Sequence, residues 1–395
     1  MTGQPRTPPR RRVRLSWSDP VLRGIIWQIL IVGAIVAVIW YLVDNTNRNL
    51  TARRIATGFE FLGRVAGIPI GESLIAYDPS IHTYGRALFV GVLNTLRVSI
   101  IGIVLATLLG TLIGIGRLSK NWLLAKLTAA YVEVMRDIPL LLHLLFWYTL
   151  LQQFPGPRQA LRIGESVFLS NRGVGVPIVQ WHAAFNWMVL AFGLGCVVLG
   201  LVRRWARRQQ EATGHRPQLW PLGVALLIVV PGLIWFALGA PFAVERPVLR
   251  GFNFQGGATL SPEFAALLIG LVIYTAAFIA EIVRSGIQSV SRGQWEAAGA
   301  LGLRRGAMLR RIILPQALRV IIPPMTSQYL NITKNSSLAV AIGYQDLVSI
   351  ANTTLNQTGQ AIEGIAYIMA VYLTISLSIS LFMNYYNARI ALTER

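Results

Sequence analysis

The chain has 395 residues, 54% of them hydrophobic and only 13% charged, with a mean hydropathy of +0.54 and a formal charge of +20. A soluble globular protein carries about 25% charged residues, so this composition belongs to an integral membrane protein. The positive excess is almost all Arg, clustered between apolar runs as the positive-inside rule requires. With no basic–aromatic module of the nucleic-acid-binding kind, it points to membrane orientation and away from DNA or RNA.

Residues 1–20, including Thr7-Pro8-Pro9 and Arg10, Arg11 and Arg12, read as a disordered basic N-terminus. The apolar run at 24–43 is long for a signal-peptide core of about 7–15 residues and lacks a clear small-residue cleavage site. It therefore reads as a retained first transmembrane helix, part of an extra N-terminal segment over 21–87. Spanning hydrocarbon takes about 20 apolar residues as a helix. Such runs recur at 88–116, 130–151, 184–202, 220–239, 264–283, 320–342 and 364–387, predicting an all-α membrane protein of about eight transmembrane helices.

The loops alternate in charge. The N-terminus, the segment with Arg117, Lys120 and Lys126, the segment with Arg203, Arg204, Arg207, Arg208 and Arg216, and the block with Arg292, Arg304, Arg305, Arg310 and Arg311 form the basic set. Between them lie 44–87, 152–183 and 240–263, where Asp44, Glu60, Glu72, Asp78, Glu165 and Glu245 partly balance fewer cations. The positive-inside rule puts the basic set in the cytoplasm, and an even number of spans then puts both termini there. The outer loops, such as Phe168–Gly173 and Gly251–Gly257, are rich in Gly, Asn and Ser, residues that favour turns. Cys196 is the single cysteine and sits inside an apolar run, so it reads as a small packing residue.

The most specific stretch is Glu296-Ala297-Ala298, then Gly302, then Ile312-Ile313-Leu314-Pro315, inside an Arg-rich block over 286–318. A short helix over 294–301 would bring Trp295, Ala298 and Leu301 near one another, with Glu296 on another face. The adjacent alanines would offer a small surface for close approach by a partner. Gly302 suits the left-handed position after a helix, and Pro315 suits the first turn of the next one.

That spacing resembles the coupling loop in membrane subunits of ATP-driven (ABC) importers. From Tyr84 onward, Asn94-Thr95-Leu96, Tyr131–Leu141, Ala280–Ile287 and Lys334–Leu338 are similar to permeases of the polar amino-acid uptake family. The resemblance implies a type I importer core of five helices from 88–151 plus 264–388, within a transmembrane domain over 88–388. The segment 152–263, with a helical hairpin at 184–239, would be inserted into it. This enlarged layout looks like the general L-amino-acid permeases of Gram-negative bacteria. By the same resemblance Glu296, Ala297, Ala298, Gly302, Leu314 and Pro315 would couple to a cytoplasmic ATPase dimer, Glu296 pairing with a basic residue there. A second, related permease subunit and a periplasmic amino-acid-binding protein would complete a transporter in the bacterial inner membrane. The family often pairs two different permeases, which favours a heterodimer.

The run at 320–342 carries Ser327, Asn331, Lys334 and Asn335 in an i, i+4, i+7, i+8 series on one helix face, with Ser336 beside them. A mid-membrane Lys costs about 2.5–3.5 kcal/mol on insertion scales and belongs at a bundle interior or aqueous path. The face is therefore either the lining of a translocation pathway or polar glue between helices. Pro323-Pro324 should kink or break this helix. Glu133, Arg136 and Asp137 before Pro139, and Glu281 with Arg284, read as ion pairs or gate elements, and His143 as a packed or pore-lining side chain.

No G-x-x-x-x-G-K-[ST] loop, Cys/His metal spacing or G-x-S-x-G elbow occurs in the sequence. The expectation is a chain that is not an enzyme and carries no cofactor, with ATP and magnesium held by the partner ATPase. An ion-coupled secondary transporter is the first rival, and would show interrupted helices in matching halves. A membrane scaffold is the second, and would gain nothing from an intramembrane Lys.

Overall fold

The computed structural model of the protein describes residues 20–52, 57–164, 166–214, 217–239, 242–251 and 253–390. The basic tail before Pro20, Glu165, Arg216 and Phe252 lie outside them.

Each apolar run is helical. α1 (Pro20–Ala52) and α2 (Tyr84–Gly116) have 33 residues each, enough to cross a hydrocarbon layer of about 30 Å and project beyond it. The third run departs from expectation. It is two helices, α3 (Trp122–Asp137) and α4 (Leu140–Gln152), bent by 102°. The break falls at Ile138, extended at φ −89° and ψ 127°, because the Pro139 ring disfavours helical backbone in the residue before it. α5 (Ala183–Thr213) is followed by α6 (Trp220–Val224), a π-helical turn at Ala225–Val229 and α7 (Val230–Ala237), which together form a second arm packed on α5. Then come α8 (Pro262–Gln288), α9 (Arg292–Ala300), α10 (Arg305–Met308) with a π-helical turn at Leu309–Ile313, and α11 (Leu314–Asn335). A 3-10 segment at Ser336–Ile342, α12 (Leu347–Thr358) and α13 (Ala361–Ile390) complete the chain.

Among the described residues six helices are long and apolar enough to cross a membrane, or seven with the bent α3–α4 pair counted as one span. The run at 320–342 is helical but too polar to meet that test. Its prolines do not break it: α11 is continuous through Pro323 and Pro324, and regular α-helix stops only at Asn335. Both prolines face outward. Membrane helices tolerate such residues where the freed backbone groups are satisfied locally.

α8 is the axis of the core, packed by α2, α3, α4 and α11, while α13 lies on α11 and α12. The α2–α8 contact is the most extensive in the molecule and rests on small residues. A Cβ on Gly110 would fall 2.8 Å from the Ala276 carbonyl oxygen, and one on Gly114 would fall 2.7 Å from that of Ala280. This is the small-xxx-small device by which membrane helices bring their backbones together.

The segment 152–263 corrects a second expectation. Its Gly-rich loops are not irregular: β1 (Leu161–Ile163), β2 (Val167–Ser170), β3 (Gly173–Val176) and β8 (Ala258–Leu260) make a four-stranded antiparallel sheet. β4 (Ile178–Val179) pairs with β5 (Val244–Glu245), and β6 (Val248–Arg250) with β7 (Asn253–Gln255). Asn171-Arg172 closes the tight turn between paired Ser170 and Gly173, the two-residue hairpin loop. The strands are two to four residues long, too short to stand out by alternation in the sequence. Phe61, Ala66 and Ile68 of the preceding loop are buried against Leu88, Leu347 and Ile350, so that loop is part of the core.

Candidate functional site: the Arg-rich face and the polar helix

α9 begins after Ser291 and runs to Ala300, close to the expected bounds. The helix ends because Gly302 takes φ +69°, which non-glycine residues adopt only at a cost. The Leu303 N–H then reaches back to the Ala298 carbonyl at 3.3 Å and the Gly302 N–H to that of Gly299 at 2.9 Å, the closure of a Schellman-type cap. Pro315 follows a π-helical turn in a backbone that is already helical from Arg305, so it does not open a new helix as expected, and Leu314 next to it is exposed.

The two alanines part company. Ala298 is 1% exposed and turned inward, on the side where Trp295 packs against the cluster of Val290, Ile313 and Ala317. Only Ala297 remains on the outer face, with Glu296, Ala300 and Leu301. The presumed two-alanine surface is thus one alanine plus the helix backbone. Glu296 is the sole acidic residue between Glu281 and Asp346. Although Arg292 lies one turn before it, its carboxylate is exposed and makes no ion pair among the described residues.

On α11, Ser327, Asn331 and Lys334 are exposed along one side, Asn335 is half-buried and Ser336 is fully buried. The expected face is therefore a three-residue outward strip. Ser336 instead turns into the protein and donates to the Thr333 carbonyl at 2.8 Å. Lys334 has no carboxylate partner among the described residues. An unpaired amine on a helix flank cannot face lipid tails without large cost, so this side of α11 is built to face water or another protein.

The acidic–basic clusters divide as well. Glu281 is held by Arg284, one turn along α8, with N–O distances of 2.5 and 3.2 Å, and by Arg117 at the end of α2. Arg117 was not foreseen, since 164 residues separate it from Glu281. This bridge clamps the basic ends of α2 and α8. Glu281→Ala would leave two half-buried guanidiniums side by side, and charged hydrogen bonds contribute about 1.5–3 kcal/mol each. A lowered thermal midpoint of the purified protein, with Glu281→Gln intermediate, is the expected result. Among the described residues Glu133, Arg136 and Asp137 form no such bridge: both carboxylates are exposed, and Arg136 lies over the Phe278 ring at 5.1 Å. His143 is buried, 5.9 Å from the Tyr274 ring, with Nε2 unpartnered among the described residues.

At the opposite end, a polar knot is centred on the buried Asn94 of the Asn94-Thr95-Leu96 stretch, with Glu72 and Arg97 partly buried around it. The Asn94 amide donates to the carbonyls of Glu72 and Gln345 at 2.9 Å each. The Glu72 carboxylate accepts from Arg97 and from the Ser261 N–H, both at 2.7 Å. Arg97 also covers the Phe264 ring at 4.3 Å. The knot ties the first loop, α2 and the start of α8 together. Among the described residues no cluster of His, Cys, Asp and Glu could hold a metal.

Residues 218–392 match the family described as binding-protein-dependent transport system inner membrane component. The chain is 52% identical over 383 residues to the putative amino-acid ABC transporter permease protein YhdX of Escherichia coli, across 96% of this chain and 97% of that one. It is 48% identical to the general L-amino acid transport system permease protein AapQ of Rhizobium johnstonii, across 97% and 96%. To the glutamate/glutamine/aspartate/asparagine transport system permease protein BztB of Rhodobacter capsulatus it is 42% identical, across 98% and 99%.

Proposed function

The chain belongs to the family of binding-protein-dependent transport system inner membrane components, and from that membership we infer that it is a permease subunit for ATP-driven uptake of L-amino acids. The observation that carries the coupling role is the lone carboxylate of Glu296, exposed on α9 amid arginines and paired with none of them. A carboxylate left free beside available cations is positioned for a partner outside the chain. The capped, short α9 would seat on a cytoplasmic ATPase dimer, whose closure on ATP and magnesium would move α9 and, through Trp295 and the π-helical turn, the base of α11. That is rigid-body switching of a two-state element.

The strip of Ser327, Asn331 and Lys334 would face the translocation pathway, enclosed with a second, related permease. The Arg-rich face and both termini would be cytoplasmic, and the small sheets would receive a periplasmic amino-acid-binding protein. Reconstitution of the purified assembly in vesicles tests the reading. Uptake of glutamate and of neutral L-amino acids should require ATP and a co-purified P-loop ATPase; uptake without either would overturn it.

The α11 strip makes a separate prediction of opposite signs. Lys334→Leu removes an insertion cost of about 2.5–3.5 kcal/mol, so folded protein in the membrane should rise or hold while uptake falls. Unchanged uptake at full expression would return the strip to a packing role.

A further inference from the structure

A cavity of about 1210 Å³ opens at the Arg-rich face between the end of α2, the start of α3, α9 and the α10 region. It exceeds the roughly 300–1,000 Å³ of small-molecule pockets, so a free amino acid would leave most of it unfilled. Its inner wall is apolar, including Leu112, Ile113, Leu124, Ile287 and Trp295, while Lys120, Arg292, Arg305 and Arg310 also line it. No acidic residue does. All four cations are exposed, and none forms an ion pair among the described residues.

The cavity also has a direction. Ile100, Val104, Leu108, Leu112 and Ile115 are exposed along α2 at intervals of three and four residues, one continuous ridge on the helix. The last two lie in the cavity wall. An apolar ridge on a spanning helix thus leads into a chamber of uncompensated positive charge. Of α9, Arg292 and Trp295 line the cavity while Glu296 and Ala297 are exposed outside its lining, which leaves them open to a water-soluble ATPase.

We propose that this cavity binds an anionic glycerophospholipid, its acyl chains along the α2 ridge and its phosphate among Lys120, Arg292, Arg305 and Arg310. Basic pockets between membrane helices on the cytoplasmic side hold such head groups. Bound there, the lipid bridges the α2–α3 corner to α9 and makes the position of α9 sensitive to membrane composition. The site does not depend on which substrate the chain moves.

The test is native mass spectrometry of the intact assembly in mild detergent, titrated with phosphatidylglycerol or phosphatidylcholine. Discrete phosphatidylglycerol adducts are expected, and the Lys120→Gln/Arg305→Gln/Arg310→Gln variant should weaken their retention on the order of a hundredfold. Arg305→Lys/Arg310→Lys should keep them. Equal retention of both lipids, or no loss in the triple variant, would overturn the site. Loss of the ATPase subunit with lipid retention unchanged would also overturn it, marking the cavity as a protein contact. A second measurement needs no variant: phosphatidylglycerol with a photoreactive acyl chain should label residues 112–128 and 305–314, and labelling confined elsewhere refutes the proposal.

Discussion

Glu296→Arg is expected to remove ATP-driven uptake while the chain remains folded and inserted. The carboxylate is exposed and forms no ion pair among the described residues, so its replacement disturbs no ion pair described there. Its neighbours include Arg292, Arg304 and Arg305, and reversal makes the α9 surface wholly cationic. Truncating one partner of a buried interfacial charge pair costs about 2–5 kcal/mol, and opposing like charges adds to that. A loss of uptake on the order of a hundredfold or more is the expected size. Uptake, ATPase co-purification and membrane content should be measured on one preparation. Normal uptake would remove Glu296 from the coupling role, and loss of membrane content would show a structural defect instead.

The second large effect is on assembly of the helices. Gly114→Ile places a branched side chain where even a Cβ would lie 2.7 Å from the Ala280 carbonyl oxygen and 2.9 Å from the Val283 Cβ. Neither obstacle is the end of a flexible side chain, so α2 and α8 must separate. Overpacking costs about 1–3 kcal/mol where side chains alone give way. A displaced backbone at the largest helix contact should reach or pass that upper figure, against a total stability of about 5–15 kcal/mol. Gly193→Ile on α5 is the control, since nothing lies within 4 Å of a Cβ there. The expected outcome is little or no monodisperse Gly114→Ile protein after extraction and a normal yield for Gly193→Ile. Equal yields would mean that α2 and α8 do not depend on close approach.

The helices are legible in the sequence because apolar runs of membrane length have few other fates. The α9 cap is legible because Gly302 acts locally. What escapes is set by contacts distant in sequence or by elements too short to show a period. Arg117 finds Glu281 only once α2 lies along α8. The inward turn of Ala298 is visible only when Trp295 has a cluster to join. The bend between α3 and α4 had local signals in Pro139 and in Glu133, Arg136 and Asp137 just before it, which a reading of 130–151 as one apolar run passes over. Pro323 and Pro324 show the converse: a local rule for breaking helices was overridden inside a packed bundle.

The arm formed by α5 to α7 enters and leaves through neighbouring strands. The Gln180 N–H donates to the Ala243 carbonyl at 2.9 Å, directly beside the β4–β5 pair. Everything from Trp181 to Phe242 therefore hangs from two points one hydrogen bond apart, and α5 and α7 pack chiefly on each other. A two-residue turn could join those points without moving a core helix. The arm is topologically an appendix: it can be spliced out, or grafted in, with no change to the path of the chain through the bundle. Changes of length in such chains have a ready-made seam at which to accumulate.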